Sequence, residues 1–75
     1  MQRIIAISYE LSTNRFVSLK VFDVLGREVK KLVNEGMKIG RYEVKFDGSG
    51  LASGVYFCRI KTGEIVQTRK MLLVK

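Results

Sequence analysis

Seven acidic residues, one cysteine and three tyrosines carry most of the chemical potential of this chain, and its 75 residues include no histidine. Without an imidazole, Ser-His-Asp and Cys-His nucleophile pairs and histidine-based metal sites are excluded. Cys58 has no second cysteine to pair with and no general base to activate it, so it reads as a buried structural thiol. Paired-carboxylate catalysis needs two acids in one cleft, whereas most acids here alternate with apolar residues or lie in turns. Asp47-Gly48-Ser49-Gly50 has the look of a calcium or phosphate loop. It lacks the repeated acids of the first and the Gly-Lys-Ser/Thr ending of the second, so a plain turn is preferred. Tyr9, Tyr42 and Tyr56, with basic residues nearby, could stack on bases; core tyrosines with hydroxyls at the rim are the simpler reading. No catalytic residue, metal ligand or cofactor is expected. The chain reads as a recognition module, not an enzyme.

Whatever recognition occurs must be presented by a small scaffold. At this length one domain is expected, with a core supplying only about 3–5 kcal/mol of net stability. Neither a disulfide nor a histidine-containing zinc site reinforces it, so stability must come from packing or from a partner. Hydrophobic residues at 47% and aromatics at 9% are enough for a folded chain. The opening Met1–Ala6 is too short an apolar run for a signal peptide, and Met71–Val74 is far below the ~20 residues that cross a bilayer. No targeting or transmembrane segment is expected from these runs. Fourteen basic against seven acidic residues give a formal charge of +7, which invites an acidic partner. The basic residues are spread from Arg3 to Lys75 with short pairs only at Lys30-Lys31 and Arg69-Lys70. A solvated outer face is therefore expected, with nucleic-acid binding carried only as a third alternative and a steep salt dependence as its signature.

Strands dominate the pattern. Ile5, Ile7, Tyr9 and Leu11 share one face, with Ala6, Ser8 and Glu10 between them, which is the two-residue period of a half-buried strand. After Ser12-Thr13-Asn14, Val17, Leu19 and Val21 repeat the period, and the two strands are expected to pair antiparallel. Val24-Leu25-Gly26-Arg27 is a tight turn with Gly26 where φ must be positive. Residues Glu28 to Glu35 are ambiguous: Val29, Leu32 and Val33 have i, i+3, i+4 spacing and Gly36 could end a helix. The run is barely two turns, lacks an N-cap and is flanked by strands, so strand is favoured with helix left open. Tyr42, Val44 and Phe46 mark the next strand. Val55 to Ile60 is apolar on both faces, which places it centrally, and Lys61–Glu64 is a hairpin connection into Ile65–Val74. Roughly six to seven short strands, about 8–12 residues apart, indicate an all-β immunoglobulin-like sandwich of antiparallel strands.

Four segments carry a resemblance: Ile7-Ser8-Tyr9-Glu10-Leu11, Val21 to Val29 with Asp23-Val24-Leu25-Gly26-Arg27 inside it, Leu51 to Phe57 with Ser53-Gly54-Val55-Tyr56, and Lys70 to Lys75. In order and spacing they resemble the C-terminal sorting domain (type A) of type IX secretion substrates, and share parts of their signature with the immunoglobulin-like domain of flagellar hook-capping proteins. The resemblance implies a β-sandwich, residues 1–75, at the end of a larger cargo protein. It would be read in the periplasm by an outer-membrane translocon and exported to the cell surface or beyond, and a surface sortase usually removes it. On that likeness Gly26 and the Gly54 entry are fold-determining turns. The same likeness implies that Arg69, Lys70, Met71, Leu72, Leu73, Val74 and Lys75 are the segment the translocon reads. The Asn- and Pro-rich entry usual in the family is absent, since the chain has no proline, so cleavage is not implied. An exposed edge strand could also pair with a second copy as a homodimer. The alternative function is a structural immunoglobulin-like module of an adhesin or hook-capping protein.

Overall fold

Alternating apolar and polar residues build six strands: β1 (Ile4–Leu11), β2 (Arg15–Phe22), β3 (Glu28–Met37), β4 (Gly40–Asp47), β5 (Gly54–Thr62) and β6 (Ile65–Leu73). The computed structural model describes residues 4–74, none of them helical. The strands form a two-stranded sheet, β1-β4, and a four-stranded sheet ordered β3-β2-β5-β6, with every pairing antiparallel. This is the expected all-β sandwich. Its core lies between the sheets, where Ile7, Tyr9, Leu11 and Phe46 meet Val17, Leu19 and Val21 of β2, Val33 of β3, Tyr56, Cys58 and Ile60 of β5, and Met71 and Leu73 of β6. Removing such side chains from water stabilises the fold by about 1.5–3 kcal/mol each. No polar or charged residue is buried with them among the described residues.

The segment whose period was ambiguous is a strand, and its spacing has a structural cause. The pairing of β2 with β3 shifts register between Leu19 and Lys20 and again between Val21 and Phe22. Each shift inserts one extra residue, Leu32 and Val29 respectively, and both pack against the core. Two β-bulges thus turn Val29, Leu32 and Val33 to the same side and break the alternation that an unbulged strand would show. Helical spacing here records bulges.

The expected pairing of the first two strands is overturned. β1 pairs with β4, and β2 pairs with β3 and β5, because Ser12–Asn14 carries the chain from one sheet to the other instead of turning within one. Asn14 fastens this crossing: its Oδ1 accepts the Ile39 N–H at 2.7 Å, tying it to the corner between β3 and β4. Residues 61–64 do make the expected hairpin, since Thr62 faces Ile65 across the Gly63-Glu64 turn.

Candidate functional site

β6 is the last strand of the four-stranded sheet and, among the described residues, pairs only with β5. Its nine residues pair without a register shift from Thr62↔Ile65 to Gly54↔Leu73. Its far side therefore offers a regular row of backbone N–H and C=O groups. The opposite edge, β3, differs in kind: two bulges interrupt it and Glu28, Lys30, Lys31 and Glu35 are exposed along it. Bulges and charges are how sheet edges are kept from pairing with other chains. β6 lacks the bulges and exposes Ile65, Val66 and Leu72, with Val74 just beyond it, each more than half open to solvent.

The segment singled out in the sequence divides by face. Met71 and Leu73 are 8% and 3% exposed and belong to the core, whereas Arg69, Lys70, Leu72 and Val74 are exposed; Lys75 lies outside the described residues. Leu73 is held by Gly48, where a Cβ would come within 2.5 Å of its Cδ1. That close approach gives Gly48 a role in seating the terminal strand that turn composition did not reveal. Gly26 and Gly54 have φ of +82° and +151°, a region side-chain-bearing residues rarely adopt.

Arg69 points from β6 toward the two-stranded sheet, where its Nη1 donates to the Ser8 carbonyl at 3.2 Å. It stands at the wall of a cleft of about 230 Å³ between β1 and β6, lined also by Arg15, Leu11, Ile60, Ile65 and Gln67. Cys58 is fully buried; burial pushes its thiol above the ordinary value, and the nearby Arg69 charge opposes this only in part. Such a thiol is inert.

The outward face of the same sheet is basic. Register places Lys31, Lys20 and Arg59 in one row and Lys61 and Lys70 on the neighbouring ones, beside Phe22 and Phe57. Arg59 lies 4.6 Å from the Phe22 ring centroid, and Lys20 reaches Glu28 at 3.5 Å. Charge that looks dispersed in the sequence is gathered by strand order.

The tyrosines are core elements. Tyr9 and Tyr42 stack with centroids 5.4 Å apart, and the Tyr42 and Tyr56 hydroxyls donate to the Lys38 and Ala52 carbonyls, each at 2.7 Å. The expectation of rim hydroxyls is corrected for Tyr9, whose hydroxyl is buried without a hydrogen-bond partner among the described residues. Burial raises its pKa, with Tyr42 and Glu35 adding to the effect. Asp47-Gly48-Ser49-Gly50 is a turn, closed by Ser49 N–H on Asp47 Oδ1 at 2.9 Å and Leu51 N–H on the Gly48 carbonyl at 3.0 Å. Among the described residues no cluster of three or more Cys, Asp or Glu is placed to hold a metal ion, and no helix is long and apolar enough to cross a membrane.

The whole chain, residues 1–75, matches the model of one family, the secretion system C-terminal sorting domain. The chain belongs to that family. No curated protein and no solved structure matches it. Sorting domains of this kind serve type IX secretion as signal modules and belong to proteins exported to the cell surface or the extracellular space. The family implies interaction with the type IX machinery and is non-catalytic in general.

Proposed function

We propose that residues 1–75 act as one non-catalytic sorting domain whose terminal strand is read by the outer-membrane translocon of type IX secretion while its cargo crosses the periplasm. The observation that carries this is the contrast between the two edges of the larger sheet: β3 is bulged and β6 is regular, free and apolar at its ends. A partner strand can add to such an edge through main-chain bonds, with Lys70, Leu72 and Val74 supplying specificity. Arg69 through Lys75 remain the proposed recognition segment, with Met71 and Leu73 contributing by seating it. Gly26 and Gly54 serve as the turns that fix the sheet ends.

The type A subtype and the kinship with hook-capping immunoglobulin-like domains are part of this reading. The Tyr56 hydroxyl, bonded four residues back to Ala52, favours it, since such a tyrosine corner recurs in immunoglobulin-like sandwiches. The β6 edge also gives a second copy a place to pair. A sedimentation mass of one chain at all concentrations removes the dimer. The central test is a periplasm-targeted reporter fused to residues 1–75 in a bacterium with this secretion system. The reporter should reach the surface or medium, and retention in the periplasm returns the domain to a structural immunoglobulin-like role.

A further inference from the structure

We propose that the cleft between β1 and β6 accepts an extended, acidic segment of a partner protein, which adds to β1 as a third strand of the smaller sheet. The site shares Arg69 with the proposed recognition segment but uses the backbone edge of β1, and it holds whether or not the β6 edge is the export signal.

Three observations converge on it. Among the described residues β1 is hydrogen-bonded only to β4, so the side facing the cleft carries backbone groups that no described strand pairs. The Arg69 guanidinium supplies a donor to one of them, the Ser8 carbonyl, where a neighbouring strand would supply its own N–H. Two strands also cannot cover four: Ile65, Gln67 and Arg69 lie on the core side of β6, in step with buried Met71 and Leu73, yet all three are exposed. A strand laid beside β1 would cover Ile65 and reach Ile60 and Leu11, which line the cleft.

Charge names the occupant. Arg15 and Arg69 both line the cleft, and neither has a carboxylate partner among the described residues. Glu10, the acid in the cleft wall, is already engaged by Arg41 at 2.8 Å. A segment that carries carboxylates finds two guanidiniums able to make charge-assisted bonds. A second copy of this chain, with net charge +7, brings the wrong sign.

The test uses the 75-residue chain with two fluorescent, end-blocked octapeptides, one alternating Val and Glu and the other Val and Lys. The Val-Glu peptide should bind by anisotropy, lose about tenfold in affinity with R15Q and more with R15Q combined with R69Q. Hydrogen exchange should slow at the β1 amides that do not bond β4. Both substitutions are of exposed residues, and an unchanged thermal midpoint shows that the fold is intact. Absence of binding, equal binding of the Val-Lys peptide, or binding without protection of β1 overturns the proposal. So does protection of the same amides in a dimer of the free chain.

Discussion

Asp23 holds the β2–β3 turn with both carboxylate oxygens. Its Oδ1 accepts the Leu25 and Arg27 N–H groups at 2.9 and 3.0 Å, and its Oδ2 accepts Arg27 Nε at 2.8 Å. The Arg27 amide is the largest cause of a pKa below the ordinary carboxylate value. A folded pKa lower than the unfolded one means that the contribution is present above about pH 4 and is lost as pH falls through the lowered value. Thermal midpoints measured from about pH 6 down to about pH 2 should therefore fall less in Asp23→Asn than in the parent. An equal fall in both would show that the turn does not sense this proton. Tyr9 poses the opposite case, because its buried hydroxyl has no partner among the described residues. Replacing it by Phe removes an unsatisfied group and keeps the ring stacked on Tyr42, so Tyr9→Phe should leave stability unchanged or raise it by up to about 1 kcal/mol in denaturant unfolding. A loss of that size would mean that the hydroxyl is satisfied in solution.

At the scale of elements, β6 has to be both structural and accessible. Leu73→Ala removes a buried side chain at a cost of about 2–5 kcal/mol, comparable with the whole stability expected of so small a core. Circular dichroism and unfolding should show a largely unfolded chain, whereas Leu72→Ala, on the exposed side, should stay within about 0.5 kcal/mol of the parent. For this reason a truncation at Lys70 tests folding and recognition together. The difference between these neighbours was legible in sequence only as alternation along a strand. Most strands were legible for the same reason: Ile7-Tyr9-Leu11, Val17-Leu19-Val21 and Tyr42-Val44-Phe46 each bury one face at a period of two. β3 was ambiguous because bulges at Leu32 and Val29 erase that period. Nothing local distinguishes a turn within a sheet from a crossing between sheets, which is why Ser12–Asn14 suggested a β1–β2 hairpin. The bond from Ile39 that fastens the crossing comes from 25 residues away.

Over the whole molecule, strand order creates surfaces that composition only hints at. Part of the net charge of +7 gathers into a basic face across β3, β2, β5 and β6, and the mismatch of two strands against four leaves a cleft beside β1. The family was legible from four short segments. The division of the terminal segment into core and exposed residues required the packing. That β6 is the edge a partner reads is the central claim of the proposed function, and an edge-specific export assay tests it most directly. The reporter fused to residues 1–75 would be compared with one carrying Lys70→Glu and Leu72→Glu on β6, and with one carrying Lys30→Glu and Lys31→Glu on β3, after all three are shown to fold. Export should fail for the β6 variant and persist for the β3 variant. Equal export of the two, or loss confined to β3, would contradict the account.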